Sequence, residues 1–265
     1  MEDAVTDAAS AAAALTVITG AAQAERAQQA EAPNAAPLLV AIDGPAGSGK
    51  SSVSRAAAER LGFGILDTGA AYRSLAWAAV ETSADLDDSA AVAAILDVWT
   101  YAITLRGQQR VTVELGDGVV HDVTTAIRAH DVSGLVSRVS KHPEVRERLN
   151  EMFRRIVAES GLPGVVIEGR DITTVVAPDA PVRVLMTASP EVRAQRRAGE
   201  LDGLTHAQVL ADIEARDAKD AQVVDFFTPA PGVTLVDTSN LNFAQSVEAV
   251  VEIVRAAQGV AEESE

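Results

Sequence analysis

Gly44-Pro45-Ala46-Gly47-Ser48-Gly49-Lys50-Ser51 carries Gly, Gly, Lys and Ser at the fixed positions of G-x-x-x-x-G-K-[ST]. Glycines at this spacing let consecutive backbone N–H groups turn inward around phosphate oxygens, at a helix start that favours an anion. Lys50 is then placed to reach the β- and γ-phosphates, and the Ser51 hydroxyl suits a Mg²⁺ ion, with Ser52 following in the same turn. The chemistry these residues permit is ATP binding and transfer of its terminal phosphate.

Four further groups of polar residues follow. Leu66-Asp67-Thr68-Gly69-Ala70-Ala71-Tyr72-Arg73 offers a helix cap, a phenol and a cation. Gly164 to Asp171 is an apolar run that delivers Glu168, Arg170 and Asp171 at its end, the edge where open parallel sheets bind ligands. Arg193, Arg196 and Arg197 follow the cap pair Ser189-Pro190, and Arg193 and Arg197 share a helical face. Arg216, Asp217 and Asp220 occupy a second helix. The histidines (121, 130, 142 and 206) have no metal-ligand spacing.

Positioning these residues requires a sheet. Leu38 to Ile42 is a continuous apolar run, as in a buried parallel strand, and it leads directly into the glycines. A helix follows from Lys50, with Val53, Ala57 and Leu61 on one face and Gly62 as its stop. Val165-Val166-Ile167, Val182 to Met186 and Val233 to Val236 read as further core strands. Between them the texture changes. Tyr101 to Leu105 and Val111 to Leu115 alternate as an antiparallel pair, with Val119-Val120 as a third strand. Residues 131–159 read as helical, interrupted near Pro143. The expected fold is α/β: a P-loop NTPase core with a parallel sheet flanked by helices, and an inserted acceptor-binding domain with a small antiparallel sheet. The core takes 37–66 and 163–258 with a lid at about 193–216, and the insertion takes 67–162. Residues 1–36, Ala-rich and acidic, read as a mobile tail, and 259–265 as a frayed end.

With 265 residues, 48% of them hydrophobic but only 3% aromatic, the core must be built from Val, Leu, Ile and Ala. A net charge of −16 argues against a nucleic-acid polymer, which needs an electropositive face. The absence of cysteine, of an apolar span and of a basic leader fits a soluble, cytoplasmic monomer.

The phosphate loop alone leaves several small-molecule kinases open, including those for UMP, AMP or a sugar acid, and a non-catalytic paralogue. A guanine-reading Asn-Lys-x-Asp string does not occur. The order of motifs narrows the choice. The phosphate loop, L-D-T-G-A-A-Y-R, Asp122-Val123-Thr124 with Ile127-Arg128, Ser137, Pro143 to Arg146, E-G-R-D through Asp179, and the two charged helices together resemble bacterial cytidylate kinases from about Leu38 to Val254. That resemblance implies ATP with Mg²⁺ as donor and CMP or dCMP as acceptor. It implies that Thr68, Arg146 and Asp171 line the pyrimidine pocket, with Tyr72 beside them. Arg73 and Arg170 would hold the acceptor phosphate, and Ser137 and Asp220 would face the ribose. Lys50, Arg193, Arg197 and Arg216 would surround the transferred phosphate. The chain departs from the family pattern at Thr173 (usually Gly), Ala177 (commonly Phe) and Val223 (normally Arg).

By this reading the acceptor is held by one cation fewer than the family supplies, because no Lys or Arg lies between Lys219 and Arg255. Val223→Arg is therefore expected to lower the KM for CMP by up to about tenfold, with the KM for ATP unchanged. Steady-state kinetics at matched ionic strength checks this, and an unmoved CMP KM counts against it.

Overall fold

The structure is a computed structural model that describes residues 36–198, 205–221 and 225–262. Residues 1–35 of the segment read as a tail lie outside it, as does Val223. The strands are β1 (Leu38–Asp43), β2 (Gly64–Asp67), β3 (Thr100–Ile103), β4 (Val111–Glu114), β5 (Val120–Asp122), β6 (Gly164–Gly169), β7 (Val182–Thr187) and β8 (Thr234–Asp237). Five of them form one sheet in the order β2-β6-β1-β7-β8, every pair parallel. β3, β4 and β5 form a separate antiparallel sheet. This is the α/β core with an antiparallel insert that the sequence predicts. β2 is an addition to the strands expected from the apolar runs.

The helices are α1 (Lys50–Leu61), α2 (Thr68–Glu81), α3 (Ser89–Val98), α4 (His130–Ser140), α5 (Pro143–Ala158), α6 (Pro190–Ala198), α7 (His206–Asp220) and α8 (Phe243–Glu262). Each boundary has a local cause. Gly49 enters α1 in the left-handed region (φ 87°), and Gly62 closes it there (φ 69°), its N–H reaching the carbonyls of Ala58 and Glu59. Asp67 caps α2 by accepting from Ala70 N–H, and Asp88 caps α3 through Ala90 N–H. Pro143 sits in the first turn of α5, where its missing N–H costs nothing.

Parallel strands covered on both faces bury alternate residues into two cores. Ala41, Leu66, Val165 and Ile167 pack with α2 and α5, including Leu75, Leu149 and Phe153. Val40, Ile42, Val166, Val184 and Met186 pack with α1 and α8, through Val53, Ala57, Val250 and Val254. Ala71, Ala76, Ala78 and Ala79 are wholly buried, so α2 approaches its neighbours closely where larger side chains would hold it off. The α4–α5 corner is tied to the loop before α3. His142 is buried with its Nε2 2.9 Å from the Leu86 carbonyl, and Arg138 and Lys141 both grip Asp87. No helix among the described residues is long and apolar enough to cross a membrane.

One contact fixes where the phosphate loop leaves the sheet. A Cβ on Gly44, whose φ is 155°, would lie 2.1 Å from the Met186 carbonyl oxygen of β7. Gly44→Ala must therefore push β1 and β7 apart or displace the loop. It is expected to lose about 1–3 kcal/mol of stability. A urea unfolding midpoint equal to that of the wild type would show the approach to be less close than this.

Candidate active site

β1, β2 and β6 end side by side, and each brings a buried acid to the same edge: Asp43, Asp67 and Glu168. From β1 the chain turns through Gly44–Gly49 into α1, which places Lys50 and Ser51 over the end of β6. Ser51 Oγ donates to Glu168 Oε1 at 2.7 Å, and Lys50 Nζ lies 3.8 Å from Glu168 Oε2. Asp67 and Glu168 are register partners, so two carboxylates share a site with little water. Their acidities diverge. Burial and the Asp67 charge push Glu168 above the ordinary glutamate value of 4.5, while Lys50, Ser51 and Arg73 pull it partly back. Burial acts on Asp67 in the same direction, but Arg73, the Ala70 N–H and Lys50 outweigh it, and its carboxyl falls below 3.8.

The sequence places Glu168 at this edge but gives it no role of its own, although an acid at the end of a buried strand is a signal for one. Its contact with Ser51 supplies the test for a divalent ion. A hydroxyl oxygen and a carboxylate oxygen in contact at the loop are hard oxygen donors, the type Mg²⁺ takes together with phosphates and water. The residues present fit that ion.

Most of the residues expected to face the acceptor gather at the same edge. Thr68 Oγ1 donates to the Glu168 carbonyl at 2.8 Å, and Arg73 pairs with Asp67 at 2.8 Å. Arg146 on α5 crosses to Asp171, just after β6, at 2.6 Å. Tyr72 lies beside that pair. Burial and the Asp171 charge push its phenol above the ordinary tyrosine value of 10, against the pull of Arg146. Arg170 donates to the Gly44 carbonyl at 2.7 Å and lies 5.2 Å over the ring of Phe226, a buried residue that composition gave no reason to single out. Ser137 is half-buried on α4, which packs against α2.

On the other flank, Arg193 and Arg197 are separated by one turn but have different surroundings. Arg193 is buried, ion-paired with Asp217 of α7, and donates to the Ala46 carbonyl at 3.0 Å. Asp217 in turn accepts from Ala46 N–H at 3.3 Å, so α6 and α7 are both bound to the phosphate loop. Arg196, to which the resemblance assigns no role, donates to the Ser48 carbonyl at 3.0 Å and to the Thr238 carbonyl at 2.8 Å. Arg197 is exposed and, with Gly47, Gly49, Arg196 and Phe243, lines a cleft of about 310 Å³ beside the loop. Arg216 and Asp220 belong to α7, and their side chains lie outside the described residues.

A phosphate loop between a parallel strand and its helix, with a strand-end acid on the loop's serine, defines a P-loop phosphotransferase. The profile of the cytidylate kinase family matches residues 40–256, and the chain belongs to that family. It is 44% identical over 225 residues to the cytidylate kinase of Cutibacterium acnes, covering 82% of this chain and 96% of that one. It is 43% identical over 222 residues to that of Bdellovibrio bacteriovorus, covering 82% and 98% respectively. With the Mycobacterium leprae cytidylate kinase the identity is 41% over 229 residues, covering 84% and 97%.

Because the fold disfavours the charge on Glu168, removing it should relieve the folded state while disabling the site. A carboxyl whose folded pKa is raised stabilises the fold relative to a permanent charge below the unfolded value, and that benefit is lost as pH rises through the folded value. Glu168→Gln is thus expected to have a thermal midpoint at pH 7 equal to or above the wild type. The difference should close as pH falls from the raised folded value toward 4.5, and ADP formation should be largely lost. A variant that is less stable at pH 7 contradicts this account.

Proposed function

We propose that this chain transfers the γ-phosphate of ATP to CMP and dCMP, giving ADP and CDP or dCDP. An oxygen of the acceptor phosphate forms a bond to the γ-phosphorus as the bond from that phosphorus to the β–γ bridging oxygen breaks. Such a transfer asks for positioning and charge neutralisation more than for covalent chemistry. Lys50 and the backbone N–H groups of Gly47 to Lys50 hold the donor phosphates. Ser51 and Glu168 would hold Mg²⁺, which, when bound, neutralises charge on the β- and γ-phosphates. Arg73 and Arg170 hold the acceptor phosphate. Arg197, with Arg193 and Arg216, brings positive charge from the lid and excludes water that would compete as acceptor. Ser137 and Asp220 are assigned to the ribose.

The observation that carries the acceptor assignment is the Arg146–Asp171 pair beside Thr68 and Tyr72. Cytosine presents an amino donor next to ring acceptors, and this pair offers a carboxylate acceptor next to a guanidinium donor. Uracil places a carbonyl where cytosine has the amino group, against the Asp171 charge. Lysine at 50, not the pyrimidine pocket, serves the donor. Lys50→Ala is therefore expected to abolish turnover with every acceptor.

The test is ADP release over a panel of nucleoside monophosphates with Mg²⁺-ATP. CMP and dCMP are expected to be the best acceptors, and equal or faster turnover of AMP would overturn the assignment. In the same panel Asp171→Asn, which can donate as well as accept, should narrow the CMP/UMP ratio of kcat/KM by about tenfold or more.

A further inference from the structure

Asp43 ends the central strand β1 and is almost completely buried, with 2% of its surface exposed. Its carboxylate reaches across to the turn that leaves β6. Oδ1 accepts from Ile172 N–H at 2.8 Å, while Oδ2 accepts from Thr173 N–H at 2.8 Å and from the Thr173 hydroxyl at 2.7 Å. The next residue of the strand–loop junction holds the same turn from the other side, where the Gly44 carbonyl accepts from Arg170. Residues 43 and 44 therefore hold the Arg170 side chain and the Ile172 and Thr173 peptides, which flank Asp171.

We propose that Asp43 is the positioning residue for base selection, holding the backbone that carries Asp171 and Arg170 at a fixed place relative to the phosphate loop. The inference rests on the reading of Asp171 as the base-reading residue.

The physical case has three parts. Ile172 and Thr173 are buried, so their N–H groups have no water to turn to if the carboxylate is lost. The turn has little regular structure of its own at this point: Asp171 has φ −139° and ψ 27°, outside helix and strand, before one π-helical turn from Ile172 to Val176. Within that turn the Asp171 carbonyl accepts from Val175 and Val176 N–H at 2.8 and 3.2 Å, and the turn as a whole is tied to β1 by what grips Ile172 and Thr173. Finally, burial, with a smaller contribution from the Asp171 charge, pushes the Asp43 carboxyl above 3.8 despite its three hydrogen bonds. Only a group that accepts three bonds from converging donors fits there. Thr173 supplies one of the three through its hydroxyl, so a residue without a hydroxyl at this position would loosen the grip.

Asp43 and Thr173 act through Asp171, which sits between Arg146 and the end of β6, and a base-reading carboxylate displaced by about 1 Å loses much of its discrimination. Asp43→Asn keeps the shape but sets an amide NH₂ against donors it cannot satisfy. It is expected to lower the CMP/UMP ratio of kcat/KM by about tenfold and to raise the KM for CMP by a similar factor, with the KM for ATP changed less than about threefold. Thr173→Val deletes the hydroxyl bond alone and should give a smaller loss of the same kind, while Thr173→Ser should restore the wild-type ratio. These last two variants keep the test valid if Asp43→Asn does not fold, as judged by circular dichroism.

A folded Asp43→Asn with the wild-type CMP/UMP ratio overturns the proposal. So does a Thr173→Val that behaves as wild type, or a loss that falls equally on the KM values for CMP and ATP. The wild-type panel distinguishes this from failure of the acceptor reading. If the wild type prefers another nucleoside monophosphate, that reading fails, and the same variants then report on discrimination against that acceptor.

Discussion

Several charges must be kept in place at the dry end of a parallel sheet, and the rest of the molecule is arranged around that requirement. Asp43, Asp67 and Glu168 end three adjacent strands and are all buried. A buried carboxylate is tolerated only with partners, and each has been given different ones. Asp43 has backbone and hydroxyl donors, Asp67 has Arg73 and a helix N-terminus, and Glu168 has Lys50 and Ser51. The chain that supplies these partners comes from α1, α2 and the turn after β6, so satisfying the carboxylates determines where the loops run.

The two apolar cores hold this edge in register. Strands buried on both faces leave no freedom to slip by one residue, since a slip would exchange Ala41 and Leu66 for Val40 and Ile65 and disrupt both packings. Asp67 and Glu168 are neighbours because Leu66 and Ile167 are, and the same registration sets Asp43 beside Gly169. The close contact of Gly44 with Met186 adds a limit from the other side of β1. Apolar packing thus fixes the positions of charges that, left to themselves, would repel.

What could be read from the sequence divides along the distance over which each interaction acts. The phosphate loop was legible because its function depends on consecutive backbone groups, and its glycines and Lys50 are local. β2 was not, because Gly64 to Asp67 is four residues long and begins with glycine, and its strand character comes from pairing with β6. The roles of Arg193 and Arg197 could not be separated, since helical spacing puts them on one face. Only the placement of α6 against both the loop and α7 buries one and exposes the other. Thr173 looked like a plain departure from a family pattern, and its partner Asp43 is 130 positions away. Glu168 was visible as a strand-end acid, but its contact with Ser51 spans 117 positions and is set by the sheet order.

The same pattern of partners explains how a chain of net charge −16 can handle two highly anionic nucleotides. Distant surface acids are screened over roughly 8 Å at physiological salt, so the field at the site is set by the groups that line it. There the guanidiniums are already oriented. Arg73 lies on Asp67, Arg146 on Asp171, Arg193 on Asp217, and Arg170 and Arg196 on carbonyls of the phosphate loop. Each is held in place before it meets a phosphate or a base, so less side-chain entropy remains to be lost on binding. The acids that hold them also keep the local charge near balance, which limits attraction for an arbitrary anion. A ligand gains most where it offers its own acceptors at the angles these partners already impose, so geometry, more than net charge, selects what binds.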